Sequence, residues 1–275
     1  MSLKSMPLWK WALLLLTGLV LSILAYGLAQ GAYGAIAPAW GKCLAAVIIP
    51  AAVICAYAQF VKWFEKHPAR DLPLTRLAPD TAKGLCIGFA FFVVVVLLMY
   101  AFGAYRIGSF GTDKPYGIFE AFLMFLMVAV CEEIIFRGIL FRWIDEKWGF
   151  AAALAVSSLF FGLVHISQPG ATLWSSIAIA IEAGLLLGAA YKYAGSLWLP
   201  IGIHWAWNFT EGNIFGFSVS GGDGGASLIT PVLSGSDLLT GGIFGAEASL
   251  IAPILGVMLS VWFIILSLPG LKSRI

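Results

Sequence analysis

Residues Phe122–Leu140 read FLMFLMVAVCEEIIFRGIL, and this stretch decides the class of fold. It is long enough to enter a bilayer, whose hydrocarbon core of about 30 Å takes roughly 20 apolar residues of helix. Yet it carries Glu132, Glu133 and Arg137. Each such charge costs about 2.5–3.5 kcal/mol at mid-membrane on insertion scales. Ionisable side chains at that depth mark a functional site by default, because packing alone gives no reason to place them there.

Working outward, the chain of 275 residues is 61% hydrophobic and only 11% charged, which excludes an ordinary soluble domain. Eight stretches read as membrane segments: Trp11–Leu28, Cys43–Gln59, Gly84–Tyr105, Ile118–Leu140, Phe150–His165, Leu173–Tyr191, Leu197–Phe209 and Ala248–Leu268. They are continuously apolar and do not alternate with period two, so an all-α bundle of about eight transmembrane helices is expected rather than a barrel. The first stretch has an apolar core longer than a signal peptide requires and lacks a nearby small-x-small site, so it reads as an uncleaved helix.

Net charge is +2, and its distribution carries more information than its size. With the N-terminus inside, the inner segments hold Lys4, Lys10, Lys62, Lys66, Arg70, Arg76, Lys83, Arg142, Lys147, Lys192, Lys272 and Arg274. The outer ones hold only Lys42, Arg106 and Lys114. The positive-inside rule then places both termini in the cytoplasm. Cys43, Cys55, Cys86 and Cys131 fall in or beside predicted helices without a CxxC pair, so they read as small buried residues. Trp9, Trp11, Trp40 and Trp198 are expected at membrane interfaces.

A single transmembrane domain over 1–275 is expected, with helices 1–3 and an inner loop in 1–115, a core in 116–210, and an outer Gly-rich loop and last helix in 211–275. Lys62–Lys83 contains Pro68, Pro73 and Pro79 and reads as an irregular surface loop or short helix, and Gly212–Gly245 as a mobile outer loop. No internal repeat is visible, which weakens an inverted-repeat transporter.

Helical spacing sorts the polar residues. Glu133 and Arg137 are four apart and share a face, as ion-pair partners do, whereas Glu132 lies about 100° around and is free to handle protons. Phe161 and His165 share a face of the next helix, whose turn falls near Lys147–Gly149. Glu132 and His165 are equally far from that turn in sequence, hence at one height in an antiparallel pair. His204 and Asn208 share a third face. Glu182 has no motif-like companion and reads as structural, a partner for Arg137 or a water-facing residue.

Glu132-Glu133-x-x-x-Arg137, Phe161-x-x-x-His165 and His204-x-x-x-Asn208, with Gly138 and the run Gly195–His204, resemble the signature motifs of the CPBP family, the CAAX prenyl endopeptidases and their bacterial and archaeal relatives. The resemblance covers Phe122–Phe209. It implies intramembrane proteolysis near the cytoplasmic side, with Glu132 as general base, His165 holding the water, His204 and Asn208 as oxyanion hole, and Glu133, Arg137 and Phe161 in support. An integral multi-pass protein of a prokaryotic cell membrane is expected. The expected partners are membrane lipid and a membrane-associated peptide or protein, which could be a prenylated tail or a leader peptide, with no nucleic acid. No cofactor is favoured: HExxH is absent and Asn208 is a poor zinc ligand, although zinc on Glu132, His165 and His204 is conceivable. Two other classes stay open: a transporter or proton relay, and a non-catalytic immunity or scaffold protein.

Overall fold

A computed structural model describes residues 3–268. Lys272 and Arg274, part of the charge pattern above, lie outside the described residues. The described residues are mostly helical, with one two-stranded antiparallel sheet whose strands are far apart in sequence. The helices are α1 (Leu8–Ala35), α2 (Ala39–Phe64), α3 (Leu74–Ala101), α4 (Pro115–Glu133), α5 (Arg142–Trp148), α6 (Phe150–Val164), α7 (Leu173–Ile179), α8 (Leu185–Ala194), α9 (Trp198–Phe209), α10 (Asp237–Thr240) and α11 (Ile251–Ser267). Strands β1 (Tyr105–Phe110) and β2 (Ile229–Leu233) pair antiparallel, Tyr105 opposite Leu233 and Phe110 opposite Ile229.

Each of the eight apolar stretches coincides with helix, the third ending at Ala101 because Tyr105 opens β1. Helices in lipid satisfy every backbone group internally, which is why runs this apolar fold so. Five helical segments are long and apolar enough to cross a membrane: Leu8–Ala35, Ala39–Phe64, Leu74–Ala101, Phe150–Ser167 and Leu173–Ala194. The 17-residue Ile251–Ser267 is shorter. α4 continues without a break through α5, but its charges interrupt the apolar run. α9 is short and lies almost wholly inside the bundle.

Three π-helical stretches lie at or beside the polar residues: Ile134–Phe141 after Glu133, Ala180–Gly184 around Glu182, and Thr210–Ile214 after α9. Such bulges tilt carbonyls out of the i→i−4 ladder and concentrate at functional sites. α3 packs along α9 at backbone distance. A Cβ on Gly84 would fall 2.4 Å from the Leu199 carbonyl oxygen and 2.8 Å from the Gly202 Cα, so only glycine permits the approach that seats His204 in the bundle.

Several expectations change. The inner segment Lys62–Lys83 is mostly helical: α2 runs to Phe64 and α3 starts at Leu74, with Pro79 inside its second turn. Only residues 65–73 are irregular, and Arg142 anchors them through two 2.6 Å bonds to Glu65. Gly212–Gly245 is built rather than loose. It contributes β2 and α10, and Asn213 Nδ2 donates to the Gly224 and Ala226 carbonyls at 2.7 and 2.6 Å. Trp9 and Trp40 are exposed, whereas Trp11 and Trp198 are buried. Of the four cysteines, only Cys131 is buried, and all four are free.

Candidate active site

Glu133 is fully buried at the end of α4, and its Oε1 accepts two hydrogen bonds, from Arg137 Nη1 at 2.8 Å and His204 Nδ1 at 3.0 Å. One carboxylate oxygen thus ties the α4 cation to the α9 imidazole. Arg137, also fully buried, donates through Nη2 to the Ala183 and Gly184 carbonyls at 3.1 and 3.3 Å. Both carbonyls belong to the π stretch between α7 and α8, so the irregular backbone supplies the acceptors that the guanidinium uses. Its face lies 4.7 Å from the Phe161 ring centre, a cation–π contact. Phe161 also stands 4.9 Å from the His165 ring and 6.1 Å from the His204 ring, centre to centre, so it is the spacer between the two histidines.

His204 Nε2 points toward Glu132, 3.9 Å from Oε2, beyond hydrogen-bond range. Glu132 is less buried than Glu133 and accepts a 3.1 Å bond from the Tyr26 hydroxyl of α1. His165 closes α6, with Nδ1 2.6 Å from the Phe161 carbonyl oxygen. A carbonyl only accepts, so Nδ1 carries the proton and Nε2 remains available. His165, His204 and Asn208 line one small cavity of ≈ 10 Å³, room for about one water. Glu132 is not among the residues lining that cavity. The structure therefore brings Glu133, Arg137, Phe161, His204 and Asn208 together and sets Glu132 beside His204. His165 lines the same cavity as His204, without the direct contact to Glu132 that equal height suggested.

Glu182 departs from both readings. Its carboxylate is fully buried, has no hydrogen-bond partner, and is neither paired with Arg137 nor open to water. Sequence reasoning also missed Tyr26 and a carboxylate clasp built on Glu247. Glu247 Oε1 accepts from Trp207 Nε1 at 3.0 Å, and Oε2 accepts from Ser220 N and Oγ at 2.9 and 2.8 Å. Its own N–H donates to Glu211 Oε1 at 3.3 Å. Trp207, Ser220 and Glu247 line the same cavity as the histidines, so the clasp forms part of its wall. No local spacing signals it, because Trp207 and Glu247 lie 40 residues apart.

Where α2 and α5 meet residues 65–73, the Tyr57 hydroxyl donates to Asp71 at 2.6 Å and Arg142 Nε to the Gly138 carbonyl at 2.9 Å, bracing the backbone next to Arg137. Burial pushes the Asp71 carboxyl above its ordinary value, while Arg142 and the Tyr57 hydroxyl pull it back. Among the described residues no group of three or more His, Cys, Asp or Glu is gathered to hold a metal ion. Within the set Glu132, His165 and His204, Glu132 Oε2 lies 3.9 Å from His204 Nε2, and His165 holds its Nδ1 on the Phe161 carbonyl.

Residues 114–210 match the family model described as "Type II CAAX prenyl endopeptidase Rce1-like". Over 110 residues the chain is 30% identical to the Bacillus subtilis (strain 168) protein named "Putative membrane peptidase YdiL", a match covering 38% of this chain and 42% of that relative. The chain thus spans less than half the length of the curated relative it matches. No solved structure matches. The matched stretch contains all three motifs, so the similarity to the CAAX prenyl endopeptidase family is confined to this core.

Proposed function

We propose that this chain is a CPBP-family intramembrane endopeptidase that hydrolyses a peptide bond of a membrane-associated substrate at the His204–Asn208 cavity, with Glu132 beside it. The supporting observation is the shared grip of Glu133 Oε1 on Arg137 and His204, which holds the imidazole with Nε2 toward Glu132. Two helices are thereby locked in one register around a water-sized cavity.

In this reading Glu132 takes a proton from the attacking water as the oxygen adds to the scissile carbonyl, then returns it to the departing amine. The His165 Nε2 lone pair holds the water in the cavity. His204 spends Nδ1–H on Glu133, so Nε2 donates to the oxyanion only when the ring carries both protons. The carboxylates of Glu132 and Glu133 supply the counter-charge that such an imidazolium needs. Asn208, one turn on, gives a neutral amide donor.

Removing one oxyanion donor typically costs about 2.7–4 kcal/mol of transition-state stabilisation. Purified Asn208→Ala is expected to keep the parent's thermal midpoint in detergent and to lose about 10²–10³ in kcat on a membrane-peptide substrate. His204→Ala loses as much activity and some stability, because Glu133 gives up a bond. Asn208→Ala cleaving at the parental rate would remove the oxyanion hole from the account.

We also propose that the termini and the inner loop face the cytoplasm, as the Lys and Arg distribution suggests. Ser234 is exposed just beyond β2. With the four native cysteines replaced, a cysteine at Ser234 is expected to react with an impermeant thiol reagent on intact cells. Labelling only after permeabilisation would invert the orientation.

A further inference from the structure

The residue that touches Glu132 most directly lies outside the matched core, on α1. The Tyr26 hydroxyl donates to Glu132 Oε1 at 3.1 Å across 106 residues of sequence. Gln30, one helical turn further on, donates from Nε2 to the Tyr26 oxygen at 3.1 Å. A phenol has a single proton. With Gln30 donating to its oxygen, that proton is committed to the carboxylate.

The rest of the neighbourhood gives this contact a purpose beyond packing. Around it α1 is loosely held: Leu24 and Leu28 are 58% and 76% exposed, and a Cβ at Gly27 or Gly31 would meet nothing within 4 Å. An apolar groove of ≈ 230 Å³ runs beside the Tyr26 ring between α1, α2 and the π stretch after Glu133, with Val53, Phe60 and Ile135 on its walls. The ring therefore stands at the edge of open space rather than in a filled core. Glu133 draws on two partners from its own bundle, whereas Glu132 draws on Tyr26.

We propose that Tyr26 is a positioning residue for hydrolysis: its hydroxyl, set by Gln30, holds the Glu132 carboxylate in the rotamer that faces His204 and the attacking water. This rests on the proposed function above. A free glutamate side chain samples several staggered rotamers, so fixing one raises the fraction of turnovers that start with the base in place. The effect falls on kcat and not on substrate affinity. Gln30 acts only through Tyr26.

The test compares purified full-length parent, Tyr26→Phe, Gln30→Leu and the double variant. Tyr26→Phe keeps the ring and is expected to hold the parent's thermal midpoint, lower kcat about tenfold and leave KM within about twofold. Gln30→Leu lowers kcat less, and the double variant is no slower than Tyr26→Phe alone, because Gln30 has nothing left to orient. Parental kcat in Tyr26→Phe, or a Gln30→Leu effect that persists in the double variant, overturns the proposal. Should the parent cleave no peptide, the hydrolase reading fails, and a second measurement then decides this one. It is labelling of Glu132 by dicyclohexylcarbodiimide, located by mass spectrometry with Glu132→Gln as blank. Several-fold faster labelling in Tyr26→Phe than in the parent supports the Tyr26–Glu132 hold, and equal labelling overturns it.

Discussion

Glu132→Gln is expected to abolish peptide hydrolysis and leave the fold intact. The amide keeps the size of the side chain, and its oxygen still accepts the Tyr26 hydroxyl bond. It cannot take a proton from water. General-base removal costs about 10²–10⁴ in rate, which places the residual activity at or below detection. Stability should change by less than about 1 kcal/mol, because no buried acceptor is orphaned and a partly buried charge is removed. Thermal unfolding and peptide cleavage measured on the same detergent preparation check both halves. A transporter would change flux without cleavage by any variant, and a scaffold would tolerate the substitution. Full hydrolytic activity in purified Glu132→Gln would reassign the base.

Arg137→Ala is expected to act in the opposite way, on the fold first and on activity as a consequence. The guanidinium is fully buried and bonds Glu133 Oε1 and two backbone carbonyls while lying against Phe161. Truncation leaves a buried carboxylate without its counter-charge and two carbonyls without a donor. Breaking comparable buried pairs costs about 3–5 kcal/mol. Folded yield and thermal midpoint should both drop sharply. Arg137→Lys should recover only part of the loss, because an ammonium lacks the planar fork that reaches Glu133 and both carbonyls together. A stable, active Arg137→Ala would show that the pair does not hold the site.

What was legible in the sequence follows from what helical geometry makes local. Glu133 and Arg137 sit four apart, and in the structure they are 2.8 Å apart. His204 and Asn208, also four apart, line one cavity. Apolar length located the helices for the same reason: in lipid a helix is the local solution for a continuous apolar run. Relations between helices were harder to read. Equal distance from the Lys147–Gly149 turn gave height but not azimuth, so it could not tell that His165 lines the cavity while Glu132 stays outside its lining. Tyr26 and Glu247 reach the site from 106 and 40 residues away, and neither carries a spacing signature. The π stretches escaped because a bulge leaves no mark in a hydrophobic pattern, although one supplies the two carbonyls that Arg137 uses. Gly212–Gly245 looked loose by its glycines, yet Asn213 and the pairing of β2 with β1 order it.

The central claim is that this cavity adds water to a peptide bond. Isotope incorporation tests it most directly: purified parent and Glu132→Gln are incubated with a mixture of membrane peptides in water enriched in ¹⁸O, and product carboxyl groups are read by mass spectrometry. The account predicts new C-termini carrying ¹⁸O with the parent and none with Glu132→Gln. No labelled C-termini from the parent, or equal labelling from both proteins, would contradict it.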